Sequence, residues 1–438
     1  MDKKILIIGA GPCGLGAAYR LNELGHTDWK IYEKNDFVGG LSASFADENG
    51  FHWDTGGHVL FSFHDYFDRF VSTALSGRFL EHQRRAYIRL FDRWVAYPFQ
   101  NNFHALPVDK TIQCLWGLMV AKILKKDPEN FREWIILNFG KGIAQYFMLP
   151  YNSKIWSYAL EKMSFEWTSE RVNTVSLRKA ARNLIFLKED SCWGQNNRFR
   201  FPLHGGTGEI FRNIATIFKD RLFLEKEVEG IDLEKKTVLL SDGSRDNYDV
   251  LINTMPLDVL VERSASSQFY GEVKKLKHNS VHIVGIGLKK TPQAKRSWCY
   301  FPEARTPFYR VTYFSNYSPA NVPQGGYSSF LCEISFSGVS GKPKEQIIDE
   351  TIAGLVHNGI IEEKETRCLA TKFYMHVPYA YPVPTLERNS ALKKIVPYLE
   401  QKGVYSRGRF GSWLYEKGNM DHSVMQGVET VDHILKSV

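Results

Sequence analysis

The order of hydrophobic and polar positions predicts a buried strand, a helix and a second strand at the start of the chain. The apolar run "ILII" at Ile5–Ile8 is typical of a parallel strand that is buried on both faces. The next segment, "GAGPCGLGAAYRL", combines a glycine turn with a helix whose Ala and Leu positions face a sheet. A second strand, "WKIYEK", leads to Glu33. The pattern is that of a strand-turn-helix-strand unit.

The middle of the chain changes to a helical pattern. From about Pro107 to Leu187 the apolar residues recur at helical spacing, and Asp127 with Pro128 predicts the cap and first turn of one helix. We therefore expect a helical domain inserted after the first strands.

Strand patterns return in the second half of the chain. The segment "RFRFPLHGGTGEIF" predicts a strand, a glycine turn and a helix, and Asp242 with Gly243 predicts a hairpin. Alternating, aromatic-rich segments such as "VHIVGIGLKK" and "SSFLCEISF" predict a mostly antiparallel sheet between about Val281 and Tyr374. An amphipathic helix is expected from about Gly427 to Leu435. The predicted class is α/β with an additional antiparallel sheet.

Composition narrows the kind of ligand. The 438 residues suffice for about three domains, and 56 Lys and Arg against 48 Asp and Glu give a formal charge of +8 without a long basic block. This excess favours a small anionic ligand over a nucleic acid. Six dispersed cysteines, with no CxxC pair and no His cluster, predict reduced thiols, no metal site and a cytoplasmic protein. The longest apolar stretch, 112–124, contains Gln113 and Lys122, so no membrane span is expected.

A glycine motif after the first strand indicates a dinucleotide. Gly9, Gly11 and Gly14 form GxGxxG between strand and helix, and Glu33 follows 19 residues after the third glycine. Small residues let the backbone approach a pyrophosphate, the helix N-terminus neutralises its charge, and the carboxylate binds a ribose hydroxyl. A merely tight turn is the competing interpretation.

Two further glycine clusters distinguish between dinucleotides. "GGLSAS" at 39–44 and "FHWDTGGHVLF" at 51–61 follow the acid closely, as in flavin proteins of the amine-oxidase-like group and unlike most nicotinamide enzymes. The sequence therefore resembles an FAD-binding protein. Two ordinary glycine turns are the alternative.

Several longer motifs occur in a fixed order along the chain. They are "WVAYPFQNN" (94–102), "FMLPYNSKIW" (147–156), "FRFPLHGGTGEI" (199–210), "WCYFPEARTPFYRVTYFSNYSP" (298–319), "YAYPVPTLER" (379–388) and "SRGRFGSWLYEKGNMDHS" (406–423). This series resembles the UDP-galactopyranose mutases, in particular their eukaryotic-type branch, from Ile5 to Val431. The chain departs from that branch after "SNYSPANVPQGGY", where it lacks an insertion, and in a shorter C-terminal tail.

The resemblance implies a domain division and a cofactor site. It implies a Rossmann-like FAD-binding domain (1–94, 203–265 and 404–438), a helical nucleotide-sugar-binding domain (95–190) and an antiparallel sheet substrate domain (191–202 and 266–403). The residues expected to bind FAD are Gly9, Gly11, Pro12, Cys13, Gly14, Glu33, Lys34, Gly40, Leu41, Ser42, Gly57, His58, Val228, Arg409, Gly418, Asn419, Met420 and Ser423.

Residues of the motif at 147–156 predict a slot for a planar base. Asn152 and Trp156 are four positions apart, so on a helix they share one face, and Phe147 lies just before them. Aromatic packing in the helical core is the competing interpretation for Phe147, but amides such as Asn152 and Gln100 are costly inside an apolar core. The resemblance implies a uridine slot of Tyr97, Phe99, Gln100, Phe147, Tyr151, Asn152 and Trp156.

The resemblance also implies groups for the diphosphate and for catalysis. Arg171 and Arg310 are the expected diphosphate clamps and catalytic residues, together with His58 on a loop over the flavin. A packed turn histidine is an equal alternative for His58. Further substrate contacts are expected from Asn196, Trp298, Tyr300, Tyr381 and Tyr415.

The chemistry implied is an isomerisation with no net redox change. In the resembled family, N5 of reduced FAD is the nucleophile at the anomeric carbon, and the pyranose and furanose forms of a UDP-sugar, most often UDP-galactose, interconvert. Activation needs NAD(P)H or another reductant, although no nicotinamide site is evident here. A homo-oligomer, a dimer or larger, is also expected.

Three other functions stay open at this stage. One is an FAD-dependent oxidoreductase of the amine-oxidase or protoporphyrinogen-oxidase type, which would want an apolar or cage-like pocket. Another is a mutase for a different nucleotide sugar, such as one carrying arabinose, N-acetylgalactosamine or a deoxysugar. A flavin- or nucleotide-binding protein without activity is the third.

Overall fold

The computed structural model of the chain describes residues 3–124, 126–168, 172, 176–190 and 197–436. Fourteen α-helices run through these ranges, numbered α1 to α14 in chain order. They are Pro12–Glu23, Asp65–Leu75, Phe99–Asn102, Val108–Ile123, Phe131–Ile143, Leu149–Trp156, Leu177–Ile185, Gly208–Ala215, Leu257–Arg263, Tyr270–Val273, Lys344–His357, Arg388–Gln401, Gly408–Gly411 and Met420–Lys436.

Nineteen strands, β1 to β19, accompany these helices in the described ranges. They are Ile5–Ile8, Trp29–Tyr32, Ser44–Ala46, His52–Asp54, Phe79–Gln83, Ala86–Leu90, Arg93–Ala96, Arg198–Pro202, Leu222–Phe223, Val228–Asp232, Thr237–Leu240, Arg245–Asn247, Val250–Asn253, Lys277–Leu288, Trp298–Tyr300, Arg310–Tyr313, Ser328–Phe336, Leu369–Val383 and Val404–Ser406. The predicted α/β class is confirmed.

A parallel five-stranded sheet forms the first layer, in the order β19-β13-β1-β2-β9. The first strand is fully buried, as its apolar run predicts. Its side chains alternate: Ile5 and Ile7 pack with α1, α2, α8 and α14, whereas Leu6 and Ile8 pack with α9, α12 and the β10-β11-β12 sheet. The strand order reverses beside β1, so the helix that follows β1 starts at the edge of a crevice.

Helices α1 and α14 are in backbone contact on this sheet. A Cβ at Gly16 would lie 2.6 Å from the carbonyl oxygen of Val424, and one at Gly427 would lie 2.2 Å from that of Cys13. The last helix begins at Met420, seven residues before the predicted start near Gly427. The prediction was wrong because the polar segment "MDHS" forms the first turn, with the acidic Asp421 at the positive end of the helix dipole.

The second layer is a seven-stranded sheet with the order β18-β14-β17-β16-β15-β6-β7. Every neighbouring pair is antiparallel except β15 with β6, so the predicted mostly antiparallel sheet is confirmed. Strands β6 and β7, from the first hundred residues, extend it. The register of β16 on β17 places Arg310 opposite Glu333.

Helices α3 to α7 form a helical unit, whose buried side chains share one hydrophobic cluster with the seven-stranded sheet. Helices α4 and α5 approach at glycines, since a Cβ at Gly140 would lie 2.1 Å from the backbone of Gly117. Helix α5 begins at Phe131, not at Asp127 and Pro128, because the side chain of Asn130 accepts a hydrogen bond of 3.0 Å from the backbone N–H of Glu133 and caps the helix. None of the described helices combines the length and apolar character that a membrane crossing requires.

Candidate active site

A cavity of about 1310 Å³ runs between the parallel sheet, the antiparallel sheet and the helical unit. Its walls extend from the glycine turn after β1 to the start of α6 and include the short closing segment around Arg409. Residues from most of the predicted motifs therefore meet around one continuous space, although those motifs are up to about 400 residues apart in the sequence; the motif at 199–210 contributes none of the lining residues.

The glycine turn leaves a cradle open to this cavity. Gly11 has ordinary extended backbone, and a Cβ built there would meet nothing closer than the Cα of Gly40 at 3.9 Å. The N-terminus of α1, which starts with Pro12, has no side-chain cap. A pyrophosphate fits this arrangement, because open backbone N–H groups and the helix dipole both favour an anion.

The other two glycines of the motif serve packing. Gly9 has a φ of +97° and its Cβ would lie 2.3 Å from Thr254 Oγ1, and a Cβ at Gly14 would lie 1.9 Å from the carbonyl oxygen of Gly9. Gly14 is absent from the cavity wall. It lets α1 approach β1 closely and does not itself face the cofactor space.

The acid of the motif lies at the cavity beside this turn. The carboxylate of Glu33 is buried and accepts hydrogen bonds from the backbone N–H of Ala10 at 2.7 Å and from the side-chain amide of Asn35 at 2.6 Å. These bonds fix its orientation. The remaining predicted cofactor residues all line the cavity: Lys34, Gly40, Leu41, Ser42, Gly57, His58, Val228, Arg409, Gly418, Asn419, Met420 and Ser423.

The closing segment holds a cation over two aromatic rings. Arg409 donates through Nε to the carbonyl oxygen of Ala380 and through Nη1 to that of Gly418, both at 3.0 Å. Its guanidinium carbon lies 4.9 Å from the ring centre of Tyr381 and 5.8 Å from that of Tyr415. The segment thereby joins the turn at the cofactor space to the aromatic wall of the substrate space.

His58 lies at the same junction. Its imidazole is buried, and this burial lowers its pKa to about 4, so the ring is neutral at pH 7. Nδ1 is buried and makes no hydrogen bond to any described residue. Because His58 lines the cavity, this nitrogen is available to a bound ligand.

Arg310 is held by a buried carboxylate. Its Nε and Nη2 donate to the two oxygens of Glu333 at 2.6 and 2.8 Å, so the pair is bidentate. Glu333 also accepts from the hydroxyl of Tyr309 at 2.6 Å and from the backbone N–H of Gly57 at 3.1 Å. Burial alone would raise the pKa of Glu333, but Arg310 and these donors outweigh it and lower the pKa.

This arrangement leaves part of Arg310 directed to the ligand. The side chain is 21% exposed and lines the cavity, and its hydrogen bonds to Glu333 within the described part of the chain use Nε and Nη2, not Nη1. The hydroxyl of Tyr381 lies 3.1 Å from that of Tyr309. Burial raises the pKa of both phenols, so they stay protonated and can donate.

The far end of the cavity is an aromatic slot. Phe147 stacks on Tyr151 with ring centres 5.3 Å apart and on Phe99 with centres 5.0 Å apart. Tyr300 contacts Tyr97 at 4.9 Å and Tyr151 at 5.2 Å. Phe99 is buried behind this wall and does not line the cavity, whereas the other four rings do.

Polar atoms converge on the slot from α6 and β15. Asn152 and Trp156 are both buried on α6, and the amide nitrogen of Asn152 donates to the carbonyl oxygen of Met148 at 2.7 Å. The indole nitrogens of Trp156 and Trp298 are buried and have no hydrogen-bond partner among the described residues. Gln100 also lines the cavity here. The slot thus offers rings for stacking and donors for a ligand's oxygens.

Two predicted substrate residues lie outside the described part of the chain: Arg171 and Asn196. Three residues of the cavity wall were not predicted from the sequence: Glu333, Tyr309 and Arg84. The guanidinium carbon of Arg84 lies 4.8 Å from the ring centre of Trp298. Glu333 carried a usable signal, since it is the one charged residue in the apolar strand "SSFLCEISF" and therefore needs a buried partner.

One cluster at the cavity rim could not have been found from spacing. Potential ligand atoms of His64, Asp421 and His422 lie within 4.8 Å of one another, although the sequence separates the first from the other two by more than 350 residues. The His64 and His422 rings meet edge to face with centres 5.7 Å apart.

Known proteins share this fold. The profile of flavin-containing amine oxidoreductases matches residues 12–435. A crystal structure of reduced UDP-galactopyranose mutase is 42% identical, with a TM-score of 0.96 over 100% of this chain and 95% of the mutase. A putrescine oxidase structure with bound putrescine shares the fold alone, at 14% identity and a TM-score of 0.65 over 100% of this chain and 99% of the oxidase.

Similarity to a curated protein is local. Zeta-carotene desaturase of Capsicum annuum is 45% identical over 58 residues, which are 13% of this chain and 10% of the desaturase, so the chain matches only a small part of that relative's length. The extent of the profile match and the full-length mutase match together decide the class. The chain belongs to the flavin-containing amine oxidoreductases and, within them, to the UDP-galactopyranose mutases. It is an enzyme with FAD as its cofactor.

Proposed function

We propose that the enzyme interconverts the pyranose and furanose forms of a UDP-sugar, with UDP-galactopyranose and UDP-galactofuranose as the pair, and with no net redox change. The observation that carries this proposal is that the dinucleotide cradle and the aromatic slot open into one cavity, which Arg310 also lines. The 42% identity to a UDP-galactopyranose mutase over the whole chain supports the same substrate class.

Residues at the end of the cavity beside the glycine turn would hold the cofactor. The cradle of Gly11 and Gly40 suits the pyrophosphate, Glu33 suits the ribose, and the loop of Gly57 and His58 lies toward the flavin end. When bound and reduced, FAD supplies the nucleophile for the anomeric carbon. The neutral His58 ring adds no positive charge beside it, and Nδ1 is free to accept or donate one hydrogen bond according to its tautomer.

Residues at the aromatic slot would bind UDP. The stacked rings of Phe147 and Tyr151 form a surface for uracil, and the amide of Asn152 can read the polar edge of the base. Nη1 of Arg310 is a donor for the diphosphate, and the indole N–H groups of Trp156 and Trp298 are donors for oxygen atoms of the nucleotide at the slot. Arg171 and Asn196 belong to this proposal through the family resemblance.

The protein's part in the reaction is to hold charge and exclude water. As the bond from the anomeric carbon to the diphosphate breaks, negative charge grows on the departing phosphate, and the fixed Arg310 guanidinium stabilises it without reorganising. Its bidentate bond to Glu333 keeps the cation in place through this change. The hydroxyls of Tyr381 and Tyr309 lie alongside as proton-bearing groups for oxygen atoms of the ligand.

The test is direct conversion of ring size. Protein reduced with dithionite is incubated with UDP-galactofuranose, and UDP-galactopyranose is measured by anion-exchange chromatography. We expect conversion by the reduced enzyme and none by the oxidised enzyme or by dithionite alone. Parallel incubations with the UDP forms of arabinofuranose and N-acetylgalactosamine report on the sugar. Tight UDP binding without any ring-size product in all incubations would contradict the proposal.

An amine substrate is disfavoured by the charges of the cavity. Arg310, Arg409 and Arg84 all line it, and a protonated amine would meet them in a site of low dielectric. Oxygen consumption with putrescine, measured beside the mutase assay, separates the two activities. We expect none above the rate without amine.

The remaining parts of the proposal concern setting and assembly. Five described cysteines are thiols, and Cys13, Cys114, Cys299 and Cys332 are buried, a pattern of the reducing cytoplasm. NAD(P)H or another reductant activates the flavin. The enzyme forms a homo-oligomer, and the predicted three-domain division gives its cofactor, nucleotide-sugar and sheet regions.

A further inference from the structure

Arg388 is a buried arginine that does not line the described cavity wall. It is the last residue of the motif "YAYPVPTLER" and the first residue of α12, and only 2% of it is exposed. A cation at this position opposes the helix dipole, whose positive end lies at the N-terminus. Burying a charge is also costly unless the charge is paired. The position of Arg388 therefore needs a partner from another part of the chain.

The partner is Glu416 of the closing segment. Nη1 and Nη2 of Arg388 donate to the two carboxylate oxygens of Glu416 at 3.0 and 2.9 Å, so the pair is bidentate. The side chain of Glu416 is itself only 16% exposed. Two parallel bonds between a planar guanidinium and a carboxylate fix both distance and orientation. This pair therefore anchors the closing segment to the start of α12.

A second set of side-chain bonds connects Arg388 to the helical unit. Nε of Arg388 donates to Oδ1 of Asn389 at 3.0 Å, and the amide nitrogen of Asn389 donates to Oε2 of Glu166 at 2.6 Å. Glu166 lies between α6 and α7. The guanidinium thus takes part in bonds toward both neighbouring parts of the structure.

Backbone hydrogen bonds make the same connection. The N–H of Ser164 donates to the carbonyl oxygen of Pro384 at 2.8 Å, and the N–H of Leu386 donates to that of Lys162 at 3.1 Å. Segment 384–389 therefore joins the helical unit to the closing segment.

Glu416 comes directly after Tyr415, whose side chain belongs to the cavity wall. The two residues share the short 3₁₀ turn Tyr415–Lys417, so an anchor on Glu416 also determines where the neighbouring phenol lies. The Tyr415 ring meets the rings of Trp156 and Trp167 edge to face, with centres 4.8 and 5.3 Å apart. Both tryptophans belong to the helical unit, so the phenol packs against that unit.

We infer that Arg388 is a positioning residue for the nucleotide site: through Glu416 it holds the hydroxyl of Tyr415 where the diphosphate of a UDP-sugar binds. The inference rests on the proposed function, which brings UDP into this cavity. Arg388 acts through its partner, because the described cavity wall includes neither of the two paired residues. The pair restricts the closing segment before the ligand arrives, so less conformational entropy is lost on binding.

The two charges of the pair can be removed together. Arg388→Met combined with Glu416→Gln, the pair variant, leaves neither charge of the pair behind. Exchange of a buried ion pair for uncharged groups of similar size is often neutral for stability. We therefore expect the pair variant to fold and to keep its flavin while the turn at Tyr415 loses its anchor. Arg388→Lys is the second variant, because it keeps the charge and loses the bidentate contact.

Calorimetric titration of the oxidised, FAD-loaded full chain with UDP tests the inference in a double-mutant cycle with Tyr415→Phe. We expect the pair variant and Tyr415→Phe each to raise the dissociation constant about 10-fold, the effect of one lost charge-assisted hydrogen bond. The combined variant should bind less than about threefold more weakly than Tyr415→Phe alone, since the hydroxyl that the pair positions is already gone. Arg388→Lys should show the same effect in smaller measure.

Glu400→Gln is the matched control. Glu400 also joins α12 to the closing segment, through a bond of 2.6 Å from Nη2 of Arg407, and neither residue lines the described cavity wall. Its loss should leave UDP affinity unchanged. A matching loss of affinity in Glu400→Gln would indicate a general loosening of the closing segment and would overturn the inference.

The ring-size assay adds a readout that a merely structural role would not change. The KM of the pair variant for UDP-galactofuranose should rise about 10-fold while kcat changes by less than about threefold, because binding common to ground state and transition state is lost. A purely structural defect would lower the active, flavin-loaded fraction and leave KM unaltered.

Four results would overturn the inference. They are unchanged UDP affinity in the pair variant and in Arg388→Lys, an unaltered KM, flavin loss from both variants, and losses that multiply to about 100-fold in the combined variant with Tyr415→Phe. A wild type that binds UDP but forms no ring-size product would refute the proposed reaction alone, and the binding cycle would still decide the role of Arg388. A wild type that does not bind UDP would refute both.

Discussion

Replacing Arg310 by alanine perturbs two functions of one side chain, and the structure allows them to be separated. Arg310 is the partner of the buried carboxylate of Glu333 and also presents Nη1 to the cavity. Arg310→Ala alone leaves Glu333 with the bonds from Tyr309 and Gly57 but without its cation. A loss of activity in that variant could therefore come from an unpaired buried charge as well as from a missing phosphate ligand.

The two contributions have different magnitudes. Breaking a buried ion pair costs about 3–5 kcal/mol, and the 21% exposure of Arg310 places the cost toward the lower end. The charge-assisted bond from Nη1 to a diphosphate contributes about 1.5–3 kcal/mol, which corresponds to a 10- to 150-fold change in UDP affinity. Adding Glu333→Gln removes the stranded charge and should restore more than half of the lost stability, yet it cannot restore the phosphate contact.

Three measurements decide the matter: urea unfolding for stability, calorimetric titration of the oxidised holoenzyme with UDP, and absorbance at 450 nm for bound flavin. We expect both variants to retain flavin, to bind UDP at least about 10-fold more weakly and to lose turnover. Only the double variant should regain stability. If UDP affinity returns together with stability in the double variant, Arg310 supports the fold and the clamp reasoning is refuted. Loss of flavin from either variant would equally refute it.

Three further predictions concern the cradle, the slot and the histidine. Gly11→Val should fold but load little FAD, because its side chain would enter open cavity space, and equal flavin content in wild type and this variant would contradict the assignment of the cradle to the cofactor. Gly14→Ala should unfold at a lower urea concentration, because its Cβ would lie 1.9 Å from a backbone oxygen. Phe147→Ala should weaken UDP binding by about 1–3 kcal/mol and Asn152→Ala by about 0.5–1.5 kcal/mol at unchanged flavin content, and unaltered titration curves would remove both residues from the slot. The folded-state pKa of His58, about 4, lies below the unfolded value near 6.5, so the unfolded chain binds more protons between these values and the wild type loses stability as pH falls. Relative to His58→Gln, its free energy of unfolding should fall by about 2 kcal/mol from pH 7 to pH 5, and a pH-independent difference would show that the ring is not buried.

Local pattern was sufficient for the elements that carry their own signal. The strand at Ile5–Ile8 and the hairpin at Asp242 and Gly243 follow from apolar run length and turn chemistry, and the structure has both. The seven-stranded sheet was foreseen in its antiparallel character, because alternation is visible in the sequence. The helix start predicted at Asp127 and Pro128 was wrong because the side chain of Asn130, three residues after Asp127, accepts the hydrogen bond from the backbone N–H of Glu133 and caps the helix there.

The site required information that no short segment holds. Arg310 and Glu333 are 23 residues apart and become partners only through the register of β16 on β17. This register depends on where the chain turns between the two strands. A register shift of one residue would place one of the two side chains on the opposite face of the sheet. Family resemblance supplied Arg310, but it could not show that a carboxylate already occupies two of its donors.

That carboxylate changes how the charge of the cavity is understood. Arg84, Arg310 and Arg409 line the described wall of the cavity, and Glu333 compensates the charge of Arg310. Without Glu333 the charge of Arg310 would lack its buried counter-ion, and the guanidinium would attract the diphosphate more strongly. A clamp with an internal counter-ion fixes the guanidinium while it limits affinity, which is the balance a reversible transfer needs because product must leave as readily as substrate binds. The pairing of Arg310 with Glu333 is therefore as much part of the substrate site as the arginine itself.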